Sequence, residues 1–166
     1  IEKIRTLPPI YKPDGKINAA SSSKETDGAA VAMFMSKEKA RELGLKPMVT
    51  VRSLAWGGCN PQTAPYGACL VSKKALERAG LSASDIDLWE TNEAFATVPL
   101  VLIKDLGIDP ERVNVNGGAC CIGHPVGASG VGGTLGTDWH PYPGVWGRGQ
   151  RYSSKGRNTG KVALLS

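Results

Sequence analysis

The stretch Asn114–Gly130 reads NVNGGACCIGHPVGASG and is the most informative segment of the chain. Its first three residues are typical of a strand end, and the glycines after them let the backbone turn sharply and approach a ligand closely. The histidine His124 follows Gly123, and Pro125 restricts it to an extended conformation. An imidazole held in this way suits a general base or a hydrogen-bond donor. The alternative is a loop histidine that caps a backbone carbonyl.

Other glycine-rich and metal-binding motifs do not fit this stretch. The glycine spacing matches neither G-x-G-x-x-G nor G-x-x-x-x-G-K-[S/T], and Gly127–Gly130 is one residue short of the elbow G-x-S-x-G. Cys120 and Cys121 are adjacent, so they cannot easily bind one tetrahedral ion together with His124. We therefore expect no metal site.

Three helices are predicted upstream of this stretch. Ser36 is a suitable N-cap for a helix over 37–43, and Gly80 ends a second helix over 69–79. A third helical pattern covers 94–106, where Pro99 either kinks the helix or marks its true start. Strands are predicted at 29–35, 48–51, 86–90 and 113–115. Strands and helices that alternate in this way indicate an α/β domain.

Composition places the chain among globular domains. It has 166 residues, of which 41% are hydrophobic and 21% charged, and no apolar run approaches the roughly 20 residues that cross a bilayer. No membrane partner is therefore expected. The four cysteines show no C-x-x-C spacing and no secretory signal precedes them. These features favour reduced thiols in the cytoplasm or, alternatively, in a mitochondrial or peroxisomal matrix.

The positive charge is concentrated near the C-terminus. Of a formal net charge of +5, residues 131–166 contribute five basic residues against one acidic residue, and helical periodicity also ends near residue 131. We therefore expect a connector over 1–22, a domain over 23–130 and an atypical tail over 131–166 that is out of frame or otherwise altered. The nearly neutral body argues against a nucleic-acid partner. A basic tail that stacks bases on Trp139, Trp146 and Tyr152 is an alternative.

Four motifs in order resemble those of the thiolase family, the acetyl-CoA acetyltransferases and 3-ketoacyl-CoA thiolases. Asn114–Gly130 resembles the family's histidine motif, and residues 92–96 read NEAFA, as in the family. The segment SSSKETDGAA at 21–30 is similar to N-x-S-x-x-[N/T]-D-G-A-A, and LPPIYKPDG at 7–15 resembles the sequence that leads into it. The resemblance covers residues 1–130.

This resemblance implies thiolase-type acyl transfer on coenzyme A thioesters, by Claisen condensation or thiolysis, in fatty acid metabolism. The coenzyme A thioester would be the substrate, and no separate cofactor is implied. His124 would activate a nucleophilic cysteine and help to form an oxyanion hole, and Asn92 would hold the water that completes this hole. Fixed neutral donors of this kind stabilise the oxygen-centred charge of a thioester enolate.

The resemblance also implies supporting roles for four residues. Ser23 would contact coenzyme A, Phe95 would line the pantetheine channel, and Glu93 and Gly123 would support the histidine loop. Each side chain has an ordinary alternative. Ser23 suits a turn, Phe95 a core, and Asn92 a helix N-cap, while Glu93 could be solvated in the first helical turn.

The sequence departs from the family in its cysteines. The family's nucleophile lies in an N-terminal half that is absent here. The second catalytic cysteine, in the C-x-G-x-G motif, should follow His124, but no cysteine occurs after Cys121. We therefore expect the C-terminal half of a duplicated αβαβα architecture, with a mixed sheet covered by helices, that is inactive alone. Joined in cis to the missing half, it would form a homodimer or homotetramer. The alternative is a degenerate, non-catalytic protein that binds acyl-CoA.

Overall fold

Helices α3 (Gly67–Ala79) and α4 (Thr97–Leu106) carry the hydrophobic core. The structure, a computed structural model, describes residues 2–47 and 50–130. Core side chains come from both helices and from the segments that follow them: Cys69, Leu76, Ile86, Trp89, Leu102 and Ile108. Trp89 is only 2% exposed, so the segment between the two helices is anchored beneath them.

The described part of the chain also contains three shorter helices. They are α1 (Glu2–Arg5), α2 (Lys37–Glu42) and α5 (Ala119–Ile122). Turns of 3-10 helix lie at Ala19–Ser21, Pro61–Tyr66, Ala83–Asp85 and Pro110–Arg112. In the described part of the chain, no helix is both long and apolar enough to cross a membrane.

The predicted helices are confirmed, and local signals set their ends. The Ser36 hydroxyl accepts a hydrogen bond from the Lys39 N–H at 3.1 Å, as an N-cap does. Helices α3 and α4 end at Gly80 and Gly107, whose φ angles of 65° and 63° are left-handed. Pro99 is the third residue of α4, where its missing N–H costs no helical bond, so it marks the helix start.

The predicted strands are not formed within 2–47 and 50–130. Residues 29–35, 50–51 and 86–90 belong to no ladder, and Met48 and Val49 lie outside the described residues. Only isolated bridges are present in the described ranges. A strand is stable only when neighbouring strands satisfy its N–H and C=O groups, and an apolar run alone does not supply them. The predicted tail over 131–166 also lies outside the described residues.

The isolated bridges bring distant segments to one place. Ser22 pairs with Phe95 and Glu25 pairs with His124, so residues 22–25 lie between the NEAFA segment and the histidine loop. A parallel bridge joins Trp89 to Val113 and aligns the chain before NEAFA with the start of the histidine loop. Three of the four motifs therefore converge.

Candidate active site

The backbone of His124 is fixed by the segment that precedes Thr26. Its N–H donates to the Lys24 carbonyl at 2.8 Å, next to the bridge with Glu25. Gly123 has a φ of 94°, and a Cβ there would lie 2.3 Å from Cγ2 of Thr26. Only glycine therefore allows the loop to approach this segment so closely.

The imidazole of His124 is held at both nitrogens. Its Nδ1 lies 2.7 Å from the Ser129 hydroxyl, and that hydroxyl donates to the Pro125 carbonyl at 3.1 Å. We assign the hydroxyl proton of Ser129 to the Pro125 carbonyl, so that Ser129 accepts from the ring and the neutral imidazole carries its proton on Nδ1. Nε2 then accepts from the Asn92 amide Nδ2 at 3.2 Å. The ring is half-buried. With these two hydrogen bonds, Nε2 is the nitrogen without a proton.

Asn92 lies before α4 and does not cap it. The N-cap of α4 is Ala96, so the interpretation of Asn92 as a helix N-cap is wrong. A cavity of about 20 Å³ adjoins it, which is enough for a single water molecule. Its lining residues come from α3, α4 and the segment before NEAFA: Ala68, Val71, Ser72, Glu90, Thr91, Asn92 and Leu102.

Glu93 is half-buried against the histidine loop rather than solvated in a helical turn. Its carboxylate accepts from the Asn114 amide at 2.6 Å and from the Cys120 N–H at 3.3 Å. A Cβ at Gly118 would lie 2.0 Å from the carboxylate carbon, so the loop passes directly over it. The interpretation of Glu93 as a solvated residue is therefore wrong.

Ser23 and Phe95 lie on paired backbone segments. Both the N–H and the hydroxyl of Ser23 donate to the Ala94 carbonyl, at 3.1 and 3.2 Å, and the Ala96 N–H donates to the Ser21 carbonyl at 3.0 Å. The hydroxyl proton of Ser23 is thus engaged, while its oxygen can still accept a bond. Phe95 packs edge-on against Tyr11, with ring centroids 6.3 Å apart.

The Cys120 thiol beside the histidine loop is not an activated nucleophile. Burial raises the pKa of the Cys120 thiol, and the Glu93 charge raises it further. A raised pKa leaves less thiolate, the reactive form. Cys121 is exposed, and the described residues contain no group of histidine, cysteine and carboxylate side chains that could hold a metal ion.

Motif matching missed two residues of this site. Ser129 sits in Gly127–Gly130, which matches no nucleophile elbow, yet it orients the histidine. The sequence signal for this role is a hydroxyl five residues after His124, which a single turn can bring within hydrogen-bond distance of the ring. The second missed residue is Asn114, whose backbone is left-handed with a φ of 47°. Asparagine adopts that conformation more readily than most residues, but nothing in the sequence shows where it is needed.

The chain is similar to known proteins both in sequence and in structure. Residues 45–136 match the family model described as thiolase, C-terminal domain. A 3-ketoacyl-CoA thiolase of Salmonella typhimurium is 51% identical over 135 residues, covering 79% of this chain and 35% of that protein. A Hahella chejuensis protein of the same name is 48% identical over 134 residues, covering 78% and 34%. The chain therefore spans about a third of the length of these relatives.

Solved structures give the same fold. The Bacillus anthracis acetyl-CoA acetyltransferase has a TM-score of 0.73 at 40% identity, covering 76% of this chain and 32% of that one. Human mitochondrial 3-ketoacyl-CoA thiolase in complex with CoA has a TM-score of 0.69 at 35% identity, covering 77% and 32%. The described helices and loops thus belong to an α/β fold of this type.

Proposed function

Since the chain belongs to the thiolase family, we propose that it forms part of an acyltransferase that acts on coenzyme A thioesters. The reaction would be thiolysis of a 3-ketoacyl thioester or the reverse Claisen condensation. The observation that supports this most directly is the hydrogen bond between the His124 ring and the Asn92 amide at 3.2 Å. The ring is held in place at its other nitrogen by Ser129.

The proposed chemistry follows from which nitrogen carries the proton. With Nδ1–H bonded to Ser129, the lone pair on Nε2 can exchange its bond from the Asn92 amide for the proton of an approaching thiol, which makes that thiol a nucleophile. Once Nε2 is protonated, it becomes a donor beside the Asn92 amide. Two fixed donors at one point can bind the oxygen of a thioester as negative charge develops on it. The cavity beside Asn92 offers room for the water that would complete this oxyanion hole.

We propose that coenzyme A binds beside the segment that joins the motifs. The human relative was solved in complex with CoA, which supports the same substrate class here. Ser23 would contact coenzyme A through its free lone pair, and Phe95 would line the pantetheine channel. Glu93 and Gly123 would hold the loop that carries His124. No separate cofactor or metal takes part in this proposal.

The nucleophilic cysteine would come from the part of the family that this chain does not span. We propose that the chain is the C-terminal half of the duplicated architecture, with its mixed sheet completed when the other half is present in cis. The whole protein would be a cytoplasmic homodimer or homotetramer. The 166-residue chain alone would then lack the nucleophile that covalent catalysis requires.

A chimera tests this function. Residues 1–130 would replace the matching part of the Salmonella typhimurium thiolase, which keeps its own sequence elsewhere. We expect thiolysis of acetoacetyl-CoA by coenzyme A, followed as loss of the substrate's enolate absorbance. His124→Ala should lower kcat by about 10²–10⁴-fold as a general base is lost. Asn92→Ala should lower it by about 10²–10³-fold, as the loss of one oxyanion donor does.

The matched control is Asn116→Ala, because Asn116 is an exposed asparagine of the same loop. It should leave kcat unchanged. If the chimera is active and His124→Ala is equally active, the assigned role of His124 is wrong. A folded chimera that binds acetoacetyl-CoA without cleaving it would instead favour the degenerate acyl-CoA-binding protein.

A further inference from the structure

Asn114 uses all the hydrogens of its amide on the segment that carries Asn92. Its Oδ1 accepts from the Thr91 N–H at 2.8 Å, and its Nδ2 donates to the Thr91 carbonyl at 3.0 Å. The second Nδ2 hydrogen goes to the Glu93 carboxylate at 2.6 Å. The Asn114 side chain thus binds both sequence neighbours of Asn92 and leaves the Asn92 amide free to pair with His124.

These bonds extend the isolated parallel bridge between Trp89 and Val113, from which the backbone turns away. Trp89 donates to the Arg112 carbonyl and accepts from the Asn114 N–H, both at 2.8 Å. At Asn114 the backbone turns left-handed, with φ at 47°, and its carbonyl closes a turn to the Gly117 N–H at 2.8 Å. The amide side chain then takes the place of the next backbone unit opposite Thr91. A left-handed non-glycine residue at a candidate active site points to a functional constraint.

We infer that Asn114 is a positioning residue that sets the distance between the Asn92 amide and Nε2 of His124. The inference rests on the proposed function for its meaning in catalysis, but the geometry stands independently of it. One end of the pair, His124, is anchored by Ser129 and Lys24. Within residues 2–47 and 50–130, Asn92 has no hydrogen-bond partner besides His124. The bonds of Asn114 to Thr91 and Glu93 form a clamp on either side of Asn92 and set where it lies.

Two substitutions separate the parts of this clamp. Asn114→Asp keeps the acceptor for Thr91 N–H but turns an oxygen toward the Thr91 carbonyl and the Glu93 carboxylate, which repel it. Asn114→Gly keeps the left-handed backbone and removes the whole side chain. The matched controls are Asn116→Asp and Asn116→Gly, in the same loop and exposed to solvent.

The test is nitrogen NMR of the imidazole rings in the full 166-residue chain. There are only two histidines, so the spectrum of a His140→Gln variant assigns His124. In both Asn114 variants we expect the Nε2 resonance of His124 to move downfield, toward the position of an imine nitrogen that accepts no hydrogen bond. The Nδ1 resonance should stay, because its bond to Ser129 is local. Neither control should move either resonance.

Two results would overturn the inference. Nε2 could keep its wild-type resonance in both Asn114 variants, which would mean that Asn92 is placed without the clamp. Alternatively, both nitrogens could move together, which would mean that Asn114 only maintains the folded loop. Neither readout depends on activity. An inactive chimera with the expected NMR pattern would therefore contradict the proposed function and leave the positioning role of Asn114 intact.

Discussion

Gly123 shows at the scale of one residue how the histidine loop depends on close approach. Its φ of 94° is one that other residues adopt only under strain, and Thr26 occupies the place of a Cβ. Gly123→Ala should therefore lower the free energy of unfolding by about 1–3 kcal/mol for the backbone strain. Overpacking against Thr26 should add a similar amount, about 1–3 kcal/mol. Urea unfolding followed by far-ultraviolet circular dichroism measures the total.

Gly127 supplies the matched control in the same loop. No heavy atom lies within 4 Å of a Cβ built there, and its φ is outside the left-handed range. Gly127→Ala should leave the unfolding midpoint nearly unchanged. Equal midpoints for the two variants would mean that Thr26 and the loop can separate at little cost, and the argument from close approach would fail.

Helices α3 and α4 are joined by one carboxylate. Asp105 on α4 accepts from the Cys69 thiol at 2.8 Å and from the Tyr66 hydroxyl at 3.4 Å, and it forms an ion pair with Lys73. The bonds from Cys69 and Lys73 lower the pKa of Asp105. Burial, together with the Asp105 charge, raises the pKa of Cys69 from 9.0 to about 12. The folded chain therefore favours the neutral thiol.

This shift predicts a loss of stability at high pH. In the unfolded chain Cys69 ionises above its ordinary pKa, whereas in the folded chain it stays protonated, so folding is favoured fully only below pH 9.0. The contribution should fall as pH rises from 9.0 to about 12. Cys69→Ser keeps a donor for Asp105 that does not ionise. Denaturant unfolding of both proteins across this range should show the wild type losing stability relative to the variant. A constant difference at all pH values would contradict the raised pKa.

The elements also show what a sequence can predict. The ends of α2, α3 and α4 follow from Ser36, Gly80 and Gly107, because a cap acts on residues within one turn of it. The strand predicted at 29–35 fails because its stability depends on partners that are distant in sequence. The motifs named His124 and Asn92. The role of Ser129 depends on a local turn that the motifs do not specify, and the role of Asn114 depends on contacts between segments that are distant in sequence.

At the scale of the molecule, the apolar segment 29–35 is the feature least suited to an isolated domain. Val31 is 92% exposed, Met33 80% and Phe34 68%, and the backbone of these residues forms no ladder in the described ranges. Exposed apolar side chains beside unpaired N–H and C=O groups favour association through added strands. The chain spans 35% of its Salmonella relative, and the other half that we propose would cover this segment.

The 166-residue chain alone should therefore self-associate as its concentration rises, measured by sedimentation velocity. Val31→Lys combined with Met33→Lys should shift it toward monomer, because a charged lysine opposes strand addition at an open edge. The control is Leu100→Lys with Val126→Lys, which adds the same charge at side chains 62% and 72% exposed but outside the segment. If both double variants shift the chain toward monomer equally, net charge and not this segment governs self-association. If the wild type stays monomeric throughout, residues 29–35 are not an open edge, and the proposed missing half does not cover them.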